Sequence, residues 1–333
     1  MQYSPFVSEL SPKEEFEGAF LVKYLNIQTD KKGKPYLNLI LMDRSGEVEA
    51  RLWDDAPATF ERIQVKDIVR VAGKVNLFQG KKQLVIQAIQ RATEGTYAED
   101  RFIPTTYFEV DRMYADVLAI IRRMSDPFAV KLALSVFEDP ELKPKICEAP
   151  AAKSMHHAYA GGLLEHVLSI CRIMEFLGIH YQNYYGPALN KDLLILGALF
   201  HDIGKVEELS WTRGTEYTQT GKLLGHLIQG CELIDRHMSK IPEFPEELRL
   251  HVKHQILAHH GKLEYGSPKL PVTVEALLVH YIDDLDSKVN SIFGVIEKDQ
   301  APGEWTAYSK VYDRVFLKPK VAPKIQGPSP GVR

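Results

Sequence analysis

The residues best suited to chemistry are histidines and aspartates in the C-terminal half of the chain, because all twelve histidines lie after residue 155. The strongest motif is LFHDIGK, where His201 and Asp202 follow an apolar run. An adjacent His-Asp pair also occurs by chance, so its companions elsewhere in the chain give it weight. These companions are His166, His226, His259, His260 and Asp283. Imidazole and carboxylate groups without thiolates suit Mn²⁺, with Fe²⁺ or Co²⁺ as alternatives, better than a structural zinc.

The elements that must position these residues are helices. Apolar residues recur at three- and four-residue spacing in successive segments between residues 107 and 316, with the last predicted helix over 306–316 and no strand required. Each candidate segment carries its own part of the set. Bundles build metal sites from side chains that project inward from facing helices. The sequence therefore predicts an all-α domain with a metal site in its core.

The N-terminal part of the chain has a different pattern. Residues 16 to 92 contain five segments rich in Val, Ile, Leu and aromatic residues, separated by turn signals such as Lys32-Gly33 and Ser45-Gly46. A short helix is predicted over 57–62, after the third segment. Five strands with a helix after the third are typical of the OB-fold, a small β-barrel that often binds oligonucleotides. A small barrel without a ligand is the alternative.

The third predicted strand, EVEARLWDD, has a strict alternation. It places Val48, Ala50 and Leu52 on one face, and Arg51 and Trp53 on the other. The apolar face should point into the barrel, which leaves an arginine and a tryptophan on the outside. Such groups bind single strands through backbone contacts and base stacking. Packing of Trp53 against the helical domain is the alternative interpretation.

Further candidates for nucleic-acid binding come from two neighbouring segments. Tyr36 is a weaker candidate, because the apolar residues around it are nearly continuous and leave the phase of the second strand open. Phe78, Lys81 and Lys82 lie in the loop between the last two strands. Residues 16–92 carry thirteen Lys and Arg against nine Asp and Glu, a net +4 in a chain whose total is −3. A local basic surface is thus compatible with an acidic chain.

Length and composition set the broad class. A chain of 333 residues with 45% hydrophobic and 26% charged residues predicts about two globular domains. The N-terminus lacks a signal-peptide pattern, and the longest apolar stretch is far shorter than the roughly 20 residues that cross a bilayer. Three cysteines without CxxC spacing suggest reduced thiols. We therefore expect a cytoplasmic protein that does not contact membranes.

The ordered set His166, His201-Asp202 and Asp283 resembles the HD superfamily of metal-dependent phosphohydrolases, whose pattern is H…HD…D. The extra His226 and His259-His260 fall where two-metal members carry further ligands, so the resemblance implies two divalent ions. Asp284 and Asp286 compete with Asp283 for the last ligand position. Alignment with the closing motif of the superfamily favours Asp283.

The order of segments is more specific still. An N-terminal barrel, then APAAKSMHHAYAGGLLEHVLSI, HDIGK, ILAHHG and HYIDDLDSKV, is similar to the YhaM-type 3′→5′ exoribonucleases over nearly the whole chain. This resemblance implies release of 5′-mononucleotides from single-stranded RNA, with single-stranded DNA as a further substrate to be tested. The alternative is a phosphohydrolase acting on a small nucleotide, with a regulatory barrel. The oligomeric state stays open.

Individual roles and boundaries follow from these patterns. Asp202 is the candidate bridging carboxylate, since it directly follows His201. Lys205, one helical turn further, is the second catalytic candidate and would neutralise a phosphate oxygen, unless it is merely a solvated charge. His157 and its neighbour His156 are candidates for contacting the phosphate or ribose of the RNA substrate. Surface or capping roles are the alternative. The predicted divisions are a nucleic-acid-binding barrel over 13–95, a helical connector over 96–150, a phosphohydrolase domain over 151–317 and a disordered basic tail over 318–333.

Overall fold

The computed structural model describes residues 4–78, 80–98, 101–153, 156–211, 214–299 and 301–320. They form two compact units. The first reaches Thr105 and includes Gly214, and the second contains the remaining described residues from Thr106 onward. The first unit is a closed β-barrel and the second is helical, so the predicted fold class is confirmed. The tail prediction for 318–333 falls mostly on residues outside the described ranges.

The barrel is built from five strands and one helix: β1 (Glu15–Thr29), β2 (Pro35–Asp43), β3 (Gly46–Leu52), α1 (Ala56–Arg62), β4 (Ile68–Phe78) and β5 (Lys81–Arg91). Their order around the barrel is β1-β2-β3-β5-β4, and only the β3–β5 pair is parallel. The barrel closes because β1 is long enough to pair with β4 through its first half and with β2 through its second. This is the OB arrangement.

Alternation along β2 and β3 builds the barrel core. The buried residues of these two strands are Leu37, Leu39, Leu41, Val48, Ala50 and Leu52. The sequence left the phase of β2 open, and the burial settles it: Tyr36 lies on the outer face. The pairing of Leu37 with Leu52 places Tyr36 beside Trp53 just beyond the end of β3.

The polar stretch 93–106, which follows the last strand, is partly packed on the barrel. Phe102 is 1% exposed and lies in a small apolar cluster with Leu21 of β1 and Ile68 of β4. The Arg101 guanidinium donates to the backbone oxygen of Pro5. One buried aromatic residue and one arginine therefore attach this segment of otherwise polar composition to the barrel.

The second unit contains nine helices among its described residues: α2 (Val110–Ile121), α3 (Pro127–Phe137), α4 (Leu142–Glu148), α5 (Gly162–Tyr185), α6 (Lys191–Phe200), α7 (Lys205–Glu208), α8 (Gln219–Ser239), α9 (Glu246–Ala258) and α10 (Val274–Lys298). The central one is α6, in which every residue from Leu193 to Phe200 is buried. It begins at Asn190, whose side chain accepts from two backbone N–H groups. None of the described helices is long and apolar enough to span a membrane.

The helices of the expected connector pack in this same core. Buried residues of α2, α3 and α4, such as Val117, Leu132 and Ile146, belong to the apolar cluster that also contains the buried face of α6. Apolar burial of this kind is the main stabilising contribution to a folded domain. In the structure, therefore, α2 to α4 are an integral part of the helical unit.

Two local expectations for the helical region were wrong. Residues 306–316 form an antiparallel turn, with bridges between Trp305 and Leu317 and between Ser309 and Arg314. Asp313 adopts a positive φ of 53°, which a continuous helix does not allow. A two-stranded ribbon, β6 (Leu209–Ser210) with β7 (Glu216–Tyr217), also interrupts the helices. Apolar spacing alone did not reveal either turn.

A close backbone approach fixes the segment between α6 and α7 against α8. A Cβ built on Gly204 would lie 2.0 Å from the carbonyl oxygen of His226, so only glycine fits. In contrast, a Cβ on Gly294 in α10 would meet no atom within 4 Å.

We expect Gly204→Ala to destabilise the protein by about 1–3 kcal/mol, since the backbone must move apart. The matched change Gly294→Ala should instead stabilise it by up to about 1 kcal/mol, because alanine favours a helix interior. Thermal unfolding of both variants and the parent protein measures this. A Gly204→Ala protein that melts with the parent would contradict the proposed close packing.

Candidate metal centre

The structure brings the seven candidate metal ligands together in the core of the helical unit. The first group is His166, His201, Asp202 and Asp283, and the second is His226, His259 and His260. Within each group the potential ligand atoms lie no more than 4.8 Å apart. They come from α5, the end of α6, α8, the end of α9 and α10.

The carboxylate of Asp202 lies between the histidines of the first group and those of the second. Its Oδ2 is 3.5 Å from Nε2 of His201 and 3.8 Å from Nε2 of His166. Its Oδ1 is 3.6 Å from Nε2 of His226 and 3.5 Å from Nε2 of His259. One carboxylate thus presents a different oxygen to each group, which is the geometry of a bridging ligand.

Two of the histidines are oriented by the ends of their own helices. His201 follows α6 and its Nδ1 lies 3.0 Å from the oxygen of Ala198; His259 follows α9 and its Nδ1 lies 2.8 Å from the oxygen of Ile256. The last carbonyls of a helix have no acceptor role within it. The ring N–H at Nδ1 therefore satisfies a free carbonyl, and the lone pair of Nε2 points into the centre.

Two other histidines of the second group use different partners. The backbone N–H of His226 donates to Oε1 of Glu208, and its Nδ1 lies 3.1 Å from the same oxygen. Gly225 has φ 73°, which kinks α8 and lets both groups reach that carboxylate. Nδ1 of His260 lies 3.0 Å from the oxygen of Tyr265. Each ring again presents Nε2 to the centre.

The remaining histidine, His166, lies between two aspartates of α10. Its Nδ1 is 2.8 Å from Oδ2 of Asp286 and its Nε2 is 3.1 Å from Oδ1 of Asp283. The hydroxyl of Ser169 donates to Asp286, which fixes that carboxylate. Asp283 is therefore next to Nε2, the nitrogen that faces the other candidate ligands. Asp286 is next to Nδ1 and orients the ring.

Two buried polar atoms at this centre indicate a missing partner. Oδ1 of Asp202 and Nε2 of His226 have no hydrogen-bond partner among the residues described. Buried polar atoms are rarely left unpaired, because the loss of hydration is costly. An oxygen and an imidazole nitrogen aimed at the same space form a donor set that a divalent cation satisfies. The residues present thus fit a metal centre.

The electrostatics also favour cation binding. Although burial raises its pKa, Asp202 is held well below its ordinary value, first by Lys205, whose Nζ is 2.5 Å from Oδ2. Burial lowers the pKa of His201 and of His260 to about 4, so both rings are neutral near pH 7. Burial also lowers the pKa of His166, but the hydrogen bonds that Asp283 and Asp286 accept from this ring raise it to about 9, so His166 must release a proton when a metal binds. An ionised carboxylate and neutral imidazoles are the forms that bind metals.

A cavity of about 480 Å³ opens onto this centre. Its wall contains metal-ligand candidates together with His156, Lys205, Tyr265, His280, Asp284 and Ser287. His157 lies behind the cavity: it is 4% exposed, and its Nε2 is 3.7 Å from Glu165 and 3.9 Å from Asp286. Of the two adjacent histidines, His156 is therefore the one that reaches the cavity.

The barrel carries a separate aromatic surface. Tyr36 and Trp53 stack with ring centroids 4.6 Å apart, and Trp53 is 37% exposed. The guanidinium of Arg51 lies 5.7 Å from the centre of the Tyr36 ring, and its buried Nη1 has no hydrogen-bond partner in the described part of the chain. These three predicted residues thus form one contiguous patch on the outside of β2 and β3.

The β4–β5 hairpin supplies a second exposed part of the barrel. Phe78 is 57% exposed and its neighbour Leu77 is 59% exposed. Phe78 pairs in register with Lys81, so an aromatic ring and a cation lie at the tip of the hairpin. Nζ of Lys82 contacts the backbone oxygen of Ser8 at 3.5 Å. Aromatic and cationic side chains therefore meet at this edge.

Sequence reasoning missed the residues that orient the ligands. Glu208 was not singled out, and Asp286 was considered only as a rival ligand. Apolar spacing gives no signal for either carboxylate. Each contacts Nδ1 of a histidine that belongs to a different helix. The HDIGK motif ends three residues before Glu208, and only the fold brings that carboxylate to His226.

Family models match both units of the chain. The HD domain model matches residues 163–288, and the model described as an OB-fold nucleic acid binding domain matches residues 22–92. The first range covers the segment from α5 to α10 that holds all seven ligand candidates. The second covers most of the barrel.

Curated relatives match nearly the whole chain. Proteins named 3′-5′ exoribonuclease YhaM are similar to it: the one from Oceanobacillus iheyensis is 38% identical over 92% of this chain and 94% of the relative, and the one from Geobacillus sp. is 36% identical over 92% of both. The protein of that name from Bacillus velezensis is 34% identical over 92% of this chain and 95% of its own length. The chain belongs to the YhaM family of 3′→5′ exoribonucleases.

Proposed function

We propose that this protein is a metal-dependent exoribonuclease that shortens single-stranded RNA from its 3′ end and releases 5′-mononucleotides. The observation that carries the proposal is the Asp202 carboxylate, which presents one oxygen to each of two histidine groups. The relatives carry the 3′→5′ exoribonuclease name over the full length of the match, which supports the same activity.

The residues that would hold the metal follow from the geometry. His166, His201 and Asp283 with Oδ2 of Asp202 would bind one divalent ion. His226, His259 and His260 with Oδ1 of Asp202 would bind a second. The donors are nitrogen and oxygen only, which suits Mn²⁺, Fe²⁺ or Co²⁺. Asp283 is preferred to its neighbours because its carboxylate faces Nε2 of His166.

When bound, two such ions would lower the pKa of water and stabilise charge on the attacking and leaving oxygens at phosphorus. The chain's own groups orient the substrate. Lys205 is 9% exposed and lines the cavity, so its ammonium can neutralise a phosphate oxygen there. His156 lines the same wall and can donate a hydrogen bond to the phosphate.

The barrel would bind the single-stranded RNA. The Tyr36–Trp53 stack and the Phe78 hairpin offer aromatic faces for bases, and Arg51, Lys81 and Lys82 offer cations for the backbone. This surface favours an oligonucleotide over the alternative of a single small nucleotide. The three free cysteines support action in a reducing compartment such as the cytoplasm.

We expect the metal-loaded protein to convert a 5′-labelled 20-mer RNA into a ladder of progressively shorter labelled fragments. EDTA and the isosteric change Asp202→Asn should both stop shortening, because each removes the bridging interaction. Denaturing gels follow the ladder, with Mn²⁺, Fe²⁺ and Co²⁺ supplied separately and a DNA of the same sequence run in parallel. Immediate release of a labelled mononucleotide, or hydrolysis of free nucleotides alone, would contradict the proposal.

Glu208 should control metal affinity without being a ligand. Glu208→Ala leaves the backbone N–H and Nδ1 of His226 without their acceptor, so Mn²⁺ affinity should fall by about 10- to 100-fold. Glu207→Ala is the matched control, since that side chain faces Arg236 on the surface. Titration of Mn²⁺ by calorimetry measures both variants. Equal affinities in the two would argue against the positioning role.

Trp53 should contribute to strand binding and not to chemistry. Trp53→Ala should weaken binding of a fluorescent single-stranded RNA by about 1–3 kcal/mol, the contribution of one stacked base. Trp305→Ala is the control, because that tryptophan is 53% exposed in the helical unit. Fluorescence anisotropy in EDTA avoids cleavage. If both variants bind like the parent protein, the aromatic patch does not hold the strand.

A further inference from the structure

The cavity has two chemically different walls, and the metal-ligand candidates account for one of them. The other wall comes largely from α10, where His280, Asp284 and Ser287 line the cavity. These positions are four and three residues apart, so they share one face of the helix. We call these three residues the α10 stripe. Tyr265, from the turn after α9, completes this wall.

Asp284 is adjacent in sequence to Asp283, but its side chain has a different environment. Asp283 points to the imidazoles of His166 and His201. The Asp284 side chain is 42% exposed, and its Oδ2 accepts from Nζ of Lys288 at 2.7 Å. Because the two α-carbons are only about 3.8 Å apart, this carboxylate lies within the length of one nucleotide from the metal centre.

His280 and Tyr265, the aromatic residues of this wall, contact the segment that carries His259 and His260. Nδ1 of His280 is 2.8 Å from the oxygen of His259. Its ring lies directly over Gly261, where a Cβ would come within 2.2 Å of it. The oxygen of Tyr265 accepts from His260, while its own ring is 58% exposed. The His280 ring and the backbone of Tyr265 are therefore held by the segment that carries His259 and His260.

A 3′→5′ exonuclease must accommodate one nucleoside beyond the scissile phosphate. That nucleoside carries hydroxyls and a base but no further phosphate. A wall of aromatic rings, a hydroxyl and a carboxylate complements it, since rings stack on bases and an ionised carboxylate accepts from a sugar hydroxyl. The same carboxylate opposes a phosphate attached to the terminal oxygen, because its exposed ion pair with Lys288 is weak in water and does not cancel its charge.

Resting on the exonuclease function proposed above, we infer that the α10 stripe and Tyr265 hold the 3′-terminal nucleoside of the RNA, and that Asp284 selects a free 3′-hydroxyl over a 3′-phosphate. The substrates are therefore RNA ends left by reactions that generate a 3′-hydroxyl. Ends that carry a 3′-phosphate require prior removal of that group.

The test compares two 5′-labelled 12-mer RNAs that differ only in a 3′-hydroxyl or a 3′-phosphate, with the full-length protein and Mn²⁺. The parent protein should favour the hydroxyl end at least about tenfold in kcat/KM. Asp284→Asn should reduce this ratio at least about fivefold, because the amide carries no charge. Glu297→Gln, which removes a charge near the far end of α10, should keep the parent ratio.

A binding measurement separates this inference from the activity itself. Adenosine 5′-monophosphate should compete with RNA for the Mn²⁺-loaded parent protein more effectively than adenosine 3′,5′-bisphosphate, and Asp284→Asn should narrow the gap. Bound Mn²⁺ is measured in each variant. Equal cleavage of both ends by the parent protein overturns the selection by Asp284 while leaving the exonuclease intact. The same holds for an unchanged ratio in Asp284→Asn at full metal content. A metal-loaded parent protein that shortens neither RNA overturns both proposals.

Discussion

The burial of a single carboxylate, that of Asp202, is the constraint around which the helical unit is organised. An ionised group is costly to bury unless charged or polar partners surround it. Lys205 supplies a direct partner to Oδ2, whereas Oδ1 has none among the described residues and faces two imidazole nitrogens. The helices that carry these side chains must therefore be held at fixed distances around two oxygen atoms, and α6, buried from Leu193 to Phe200, packs in the core that holds them.

The C-terminal ends of two helices orient candidate metal ligands without the help of another side chain. His201 and His259 each follow a helix and use Nδ1 to satisfy a carbonyl that the helix leaves free. One hydrogen bond therefore completes a helix terminus and fixes which ring nitrogen faces the centre. His226 lies instead inside α8, directly after the kink and away from the C-terminal end of the helix. It depends on Glu208 and on a kink at Gly225.

The sequence predicted the parts of this arrangement that depend on local pattern. Strand alternation correctly identified Val48, Ala50 and Leu52 as core, and the order of histidines and aspartates selected residues that the fold brings together. It did not predict Glu208, because that contact joins α7 to α8 through tertiary packing. It also did not reveal that His157 is buried, or that Phe102 packs on the barrel. Burial at these positions depends on neighbours distant in the chain.

The candidate metal cavity and the barrel carry charges of opposite sign. Its wall contains the carboxylates of Asp202, Asp283 and Asp284 but only one lysine, Lys205. Three negative charges against one positive charge attract divalent cations and, before these bind, repel a phosphodiester. Before metal binds, affinity for a polyanion must therefore come from outside this cavity. Residues 16–92 carry the net positive charge of +4 that the chain as a whole lacks. The acidic candidate metal site of the helical unit and the net basic barrel thus each carry the charge that the proposed ligand requires.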